Sequence, residues 1–240
     1  MNQIANQAQL IPYNYERFQP AYYTFDSFEG PKVGQKAPDF TVYTMKKDQV
    51  KLSDFFGDWI VLEMGSITCP IYESKIKPMN KLASKFPDIK FLLLYVREAH
   101  PGEKIPQHAT LTQKLACAKF AQEKDNEKRT IFIDDLEGRA HQMYGSMPNS
   151  IYIINPESKI IFRGDWNNIK GVKHVLSERS KDKMYEKDRF SARPYFGNGG
   201  WNMLGVLRRA GWCAVWDFVL AFPTMAIKHT KKLFRYMTKK

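Results

Sequence analysis

The stretch 59-WIVLEMGSITCPIYESKIKPMNKLASKF-86 decides the fold. It opens on an apolar run interrupted only by Glu63, the pattern of a strand buried on both faces. A short turn, Gly-Ser-Ile-Thr, follows. Pro70 then fits the first turn of a helix, where its missing N–H removes no bond. Cys69 therefore lies where the C-terminal end of a strand passes to the N-terminus of a helix, the usual site edge of an open α/β sheet. Free amides and the positive end of the helix stabilise a thiolate there, which predicts a Cys69 pKa below the free value of about 8.5. Ser66 and Thr68 add hydroxyl donors. The competing reading is a small buried residue at a tight turn.

Outward from this stretch the pattern stays regular. Residues 39–45 (DFTVYTM) and 49–55 (QVKLSDF) predict a hairpin before it. Beyond it, IKFLLLYV predicts a second buried strand, TLTQKLACAKFAQE a helix, TIFIDD a strand and EGRAHQMYG a short helix ended by Gly145. SIYIINPESKIIFRGDW predicts a hairpin turning at NPES, and IKGVKHVLSER a closing helix. Strands alternating with amphipathic helices, then a terminal hairpin, give an α/β fold with a mixed sheet flanked by helices. The order is thioredoxin-like.

This domain is expected over residues 34–180. Residues 1–33 carry Tyr13, Tyr15, Phe18, Tyr22, Tyr23, Phe25 and Phe28 among Pro12, Pro20 and Pro31 without periodicity. They predict an extended aromatic arm that wraps its own domain or docks on a partner. Residues 181–240 predict a charged linker through GNGG, then a basic amphipathic helical tail; the linker implies few contacts between tail and domain. Residues 201–240 hold eight Lys/Arg and one acid, so +7 of the net charge of +12 lies there. Tryptophans beside cations suit a membrane surface or a membrane-bound protein complex. No nucleic-acid motif or groove-like interleaving of cations and aromatics is present.

Three cysteines, Cys69, Cys117 and Cys213, make no disulfide framework, CxxC pair or zinc spacing. No metal is expected, and a reducing, intracellular compartment is. No secretory signal or transit peptide is readable, which leaves the organelle, a mitochondrion among them, open. No run reaches the roughly 18 apolar residues of a spanning helix.

GSITCP, LLYVREAHP and YGSMPNSIYIIN with IFRGDW, in this order, resemble the iodothyronine deiodinase family and its cysteine-containing bacterial relatives over roughly residues 34–178. The resemblance implies that Cys69 stands where the animal enzymes carry a nucleophilic selenocysteine. It implies that Glu98 and His100 match the family's Glu-Ala-His, whose histidine serves substrate handling or proton transfer. His108 matches a second family histidine across a shorter loop, and Pro148 falls where thioredoxin-like folds keep a cis-proline facing the nucleophile. Ile67 replaces an auxiliary cysteine of the animal enzymes, and their N-terminal membrane-spanning segment has no counterpart.

Two functions follow as expectations. One is a thiol oxidoreductase with Cys69 as nucleophile, His100 as acid/base, and Ser66, Thr68 and helix amides stabilising negative charge. It would act by reductive dehalogenation or by peroxide or disulfide reduction, without cofactor, regenerated by an external thiol. Arg97 and Arg163 either hold a thiolate's charge or pair with Glu98 and Asp165. Cys117 is a resolving thiol or a core residue, Cys213 packs, and His141, His174 and His229 are structural or surface. The other function is an accessory subunit of a membrane-associated complex, binding through arm and tail. A cavity above Cys69 lined by His100 and Pro148 favours chemistry; a Cys69 capped by the arm or by Met147 favours the scaffold.

Overall fold

The computed structural model describes residues 13–23, 28–164, 166–181 and 202–238. The linker with GNGG, Trp201, Phe25, Pro12, Asp165 and the terminal Lys239 and Lys240 lie outside them.

The hairpin is β1 (Thr41–Thr44) and β2 (Gln49–Lys51), joined antiparallel. The deciding stretch is β3 (Ile60–Gly65) and α1 (Pro70–Lys85). Then come β4 (Lys90–Tyr95), α2 (Leu111–Glu123), β5 (Thr130–Ile133), α3 (Arg139–Met143), the hairpin β6 (Ile151–Ile154) with β7 (Ile160–Gly164), and α4 (Ile169–Ser177). One seven-stranded sheet runs β2-β1-β5-β4-β3-β6-β7, with β3, β4 and β5 parallel and β6 antiparallel to β3. This is the expected thioredoxin-like mixed sheet, and β3 and β4, buried along almost their whole length, lie at its centre.

Local chemistry fixes the handover at Cys69. Gly65 ends β3 where a Cβ would come 2.5 Å from the Tyr72 ring, so only glycine lets α1 pack this close to the strand. Glu63, on a strand otherwise apolar, is buried with Arg129; Arg129 also binds Glu127, while Asn149 and Asn167 donate to Glu63 at 2.8 and 2.6 Å. A buried charge survives only when paired and hydrogen-bonded, which this cluster achieves.

The tail forms two helices, α5 (Met203–Ala210) and α6 (Trp212–Thr238). Contrary to the expectation of few contacts between tail and domain, α6 enters the domain's packing, and the arm wraps its own domain, one of the two alternatives expected for it. Tyr15, Phe18, Tyr23 and Phe28 of the arm and Ala221 of α6 are buried in the same cluster as Leu62, Leu94 and Ile133 of the sheet. Each fully buried aromatic contributes about 2 kcal/mol of transfer free energy, and a linker's composition reveals nothing of such docking. Arg97 lies against the rings of Tyr13, Tyr15 and Tyr23 at 4.7–5.0 Å, and Arg163 against Phe28 at 4.8 Å while donating to the Gly30 carbonyl at 3.1 Å. These two arginines hold the arm, which explains why neither lines the space above Cys69.

The tail is tied to the loop after His100. A Cβ on Gly102 would come 2.5 Å from the Ala210 carbonyl, which also accepts from Lys104 N–H at 2.8 Å. Glu103 accepts from the Trp212 and Cys213 N–H groups at the head of α6, at 2.6 and 3.0 Å. Arg209 pairs with Asp125 and reaches the Ile67 carbonyl at 3.1 Å.

Candidate functional site

Cys69 caps α1 with extended backbone and is 2% exposed. Its surroundings form a small cavity of about 50 Å³, partly open to solvent, with His100, Pro148 and Trp166 on the domain side. Phe18 and Tyr23 of the arm and Phe218, Phe222, Met225 and His229 of α6 cover it. The two sequence criteria are thus met together: the thiol faces a cavity with His100 and Pro148, and arm and tail close that cavity.

Burial pushes the Cys69 thiol up to about 12; the N–H groups of Ile71 and Tyr72 at the helix head pull it down and are outweighed. This corrects the expectation of a lowered pKa, because the helix-end argument holds only where the thiolate keeps some contact with water. Burial also brings His100 down to about 3, so its imidazole is neutral. His100 is 8% exposed, its ring lies between Phe18 at 4.3 Å and Phe218 at 5.7 Å, and its Nδ1 is buried without a hydrogen-bond partner. Among the described residues no peptide bond is cis, so the bond before Pro148 is trans.

Ser66, Thr68 and Glu98 work behind the thiol. Thr68 donates to Glu98 through its N–H at 3.1 Å and its hydroxyl at 2.5 Å; Tyr95 donates its hydroxyl to the same carboxylate at 2.5 Å, and His108 Nε2 lies 3.0 Å from it. Tyr95 in turn accepts from Ile67 N–H at 3.1 Å. Thr68 Oγ1 accepts from His100 N–H and Ser66 Oγ from Ala99 N–H, both at 3.2 Å. Burial alone would raise the Glu98 carboxyl, but the bond and charge of His108 with the Thr68 and Tyr95 hydroxyls hold it below the usual carboxylate range. Glu98 is the hub that fixes residues 66–69 against residues 98–100, and neither it nor Arg163 lines the cavity. Of the hydroxyls read from sequence as thiolate donors, that of Thr68 donates to Glu98, while that of Ser66 accepts from Ala99 N–H.

Sequence reasoning missed Tyr95, Gln107 and the cover. Gln107 binds both the N–H and the carbonyl of Glu98, at 3.0 and 2.7 Å, and nothing in its spacing announces that. The cover was legible: Phe218, Phe222, Met225 and His229 recur at helical intervals. Glu98, His108 and Cys117 bring one ligand atom each within 4.8 Å of one another, a cluster the cysteine spacing gave no sign of. Glu98 there already accepts hydrogen bonds from three residues, so these contacts read as an internal network.

The family model for iodothyronine deiodinase matches residues 2–180. The chain belongs to that family. It is 28% identical over 152 residues to a thyroxine 5-deiodinase of Gallus gallus, covering 58% of each chain. It is 29% identical over 143 residues to a type I iodothyronine deiodinase of Xenopus laevis, covering 55% of this chain and 56% of that one. The chain thus spans little more than half the length of these relatives. Among solved structures it resembles a hypothetical protein of Sinorhizobium meliloti 1021 (TM-score 0.55, 11% identity, 67% of this chain and 91% of that one). It also resembles an uncharacterized conserved protein of Geobacillus kaustophilus (TM-score 0.54, 15% identity, 67% and 88%). At these identities the likeness shows fold alone.

Proposed function

We propose that the protein is a thiol oxidoreductase of the deiodinase family in which Cys69 attacks a soft electrophilic atom of a small substrate. The observation that carries this reading is the placement of Cys69, His100 and Pro148 on one cavity at the strand-to-helix edge. With an aryl iodide the sulfur takes the iodine, the ring carbon takes the thiol proton, and a sulfenyl iodide remains. One external thiol displaces iodide to form a mixed disulfide, and a second releases Cys69 as thiol. The sum is ArI + 2 RSH → ArH + HI + RSSR. A peroxide would oxidise Cys69 to sulfenic acid, and a disulfide would exchange with it, each regenerated by external thiol. The neutral His100 passes a proton by taking one on one ring nitrogen while it releases another from the other, so no charge is left in the cavity. No cofactor is required.

The test is turnover of 4-iodophenol, cumene hydroperoxide and diethyl disulfide by the full chain with dithiothreitol. Activity on at least one, lost in Cys69→Ser and kept in Cys213→Ser, supports the reading. No activity, or equal activity in Cys69→Ser, overturns it.

A second reading rests on a different observation. The outer side of α6 carries Trp212, Trp216, Val219, Leu220, Ile227 and Phe234 in one helical stripe, with Trp216 61% and Leu220 75% exposed. Lys231, Lys232 and Arg235 follow in the last two turns. We infer that this face lies on an anionic membrane surface, indoles at the boundary and cations at the headgroups, making the protein a membrane-associated accessory subunit whether or not Cys69 reacts. Among the described residues no helix is long and apolar enough to cross a membrane. Flotation with phosphatidylserine-containing vesicles, weakened by salt and lost in Trp216→Glu/Leu220→Glu, supports the inference; no flotation, or equal flotation of the variant, defeats it.

A further inference from the structure

The cavity above Cys69 is small for any organic molecule. Ordinary small-molecule sites enclose about 300–1,000 Å³. This one encloses about 50 Å³, and one of its walls is Phe218, Phe222, Met225 and His229 of α6. That helix lies outside residues 2–180, the part that the family model matches. Access to the thiol therefore requires this wall to move.

The sequence and joints of α6 suit such a movement. At 3.6 residues per turn, Phe218, Phe222, Met225 and His229 fall on one side of the helix and Trp216, Leu220 and Ile227 on the opposite side. Phe218 and His229 are buried, whereas Trp216, Leu220 and Ile227 are 56–75% exposed. The helix is thus apolar on two faces and buries one. Its joint with α5 is Gly211, at φ 123° and ψ 176°, a conformation essentially confined to glycine. Before the joint, α5 is anchored by Arg209 on Asp125 and on the Ile67 carbonyl, and Glu103 holds the first N–H groups of α6. Beyond it, α6 meets the arm through the Arg17–Asp217 pair and through Lys228 on the Pro20 carbonyl at 3.3 Å. Exposed contacts of this kind are weak.

We propose that α6 is a lid over Cys69 that an anionic membrane surface lifts, pivoting near Gly211, so that the thiol is shielded in solution and opened at the bilayer. The proposal rests on the membrane association inferred above. A surface touching only the Trp216 face would bind the closed and lifted forms alike and shift nothing. Lifting offers the lipid a second set of apolar side chains, Phe218, Phe222 and Met225, and turns the uncovered rim toward the bilayer instead of water. The surface thus binds the lifted form better, and that difference opens the lid.

The experiment follows iodoacetamide labelling of the full chain by peptide mass spectrometry, with and without phosphatidylserine-containing vesicles, and measures flotation on the same samples. Vesicles are expected to speed Cys69 labelling at least about tenfold, the gain that a tenfold preference for a rare lifted form produces. Cys117, on α2, should change less than about twofold. In a Cys213→Ser background, Arg17→Cys/Asp217→Cys joined by a short bis-maleimide ties α6 to the arm and leaves the Trp216 face free. The joined chain should float as before and show no gain, and the same chain capped singly with N-methylmaleimide should regain it. Flotation without faster Cys69 labelling overturns the lid and leaves membrane association standing. A gain that persists in the joined chain, or an equal gain at Cys117, also overturns it, since the vesicles then loosen the whole domain. Absence of flotation removes both the association and the lid.

Discussion

The two sides of the Cys69 cavity are held in different ways. On the domain side, residues 66–69 and 98–100 are fixed by buried hydrogen bonds converging on Glu98. On the covering side, the arm and α6 lie down through aromatic packing, through arginines stacked on rings, and through the Arg17–Asp217 pair, whose arginine is 50% exposed. Buried charge-assisted bonds lose their full value when one partner goes, whereas ring packing and exposed ion pairs fail gradually. Although Glu103 and the Arg209–Asp125 pair tie the tail to the domain, the side over the cavity is expected to lift before the floor yields. That asymmetry reconciles a thiol positioned for chemistry with a thiol shielded from it.

The sharpest break would come at the hub. Glu98→Ala leaves His108, Tyr95 and Thr68 facing a buried gap, and the expected loss of stability in urea unfolding is about 3–5 kcal/mol. Phe218→Ala on the cover should cost less, because the rim is already partly open to solvent and can relax. Equal losses at the two positions would refute the contrast between floor and cover.

Shielding predicts the order of thiol reactivity. With Cys69 pushed up to about 12 and 2% exposed, iodoacetamide near pH 7 should label it at least about 100-fold more slowly than Cys213, which is partly exposed. Phe218→Asp, which drives a charge into the covering contact, should close most of that gap while leaving Cys213 unchanged. A Cys69 that labels as fast as Cys213 in the unmodified chain would mean that the cover is open at rest.

How far the sequence reveals this site follows from the range of the forces involved. The sheet order, the helix head at Cys69 and the place of His100 were readable because apolar runs and helix starts act within a few residues. The raised thiol pKa was not. It results from Phe18 and Phe218, about 50 and 150 positions away in the chain, excluding water from a helix end that would otherwise stabilise charge. Arg97 was misread for the same reason, since among the described residues its partners are arm rings and the Tyr13 carbonyl rather than Glu98, while Asp165, the acid expected beside Arg163, lies outside the described residues. Glu98 was noticed as a motif residue, but its role as a hub depends on Tyr95 and His108 meeting it from two directions.

Acid gives a finer probe. His100 and His141 are both held neutral by burial, each brought down to about 3 from an unfolded value near 6.5. Between those values the unfolded chain binds more protons, so stability is full above about pH 6.5 and falls as pH drops toward 3. Each histidine contributes a slope of about 1.4 kcal/mol per pH unit. Asp134, raised by burial to about 6, acts with the opposite sign, losing stability as pH rises through 6. His100→Phe should therefore flatten the acid limb by one proton's slope relative to wild type. An unchanged slope would mean that His100 is in contact with water, and the covered cavity would be misassigned.

The smallest effect concerns the pair that joins the two halves of the cover. Arg17 reaches Asp217 through Nε and a terminal nitrogen, at 2.7 and 2.6 Å, linking the arm to α6 across the cavity mouth. Because the arginine is half exposed, water and salt weaken the pair, and it matters little to overall stability. Its effect should appear instead in how often the cover lifts. Arg17→Ala is expected to raise Cys69 labelling by about two- to fivefold in low salt and to leave the melting temperature nearly unchanged. Raising salt to about 1 M shrinks the screening length to about 3 Å and should give the wild-type chain much of the same increase while adding little to the variant. A variant and wild type that respond to salt alike would show that ring packing alone holds the cover, and that the arm and α6 lift independently of each other.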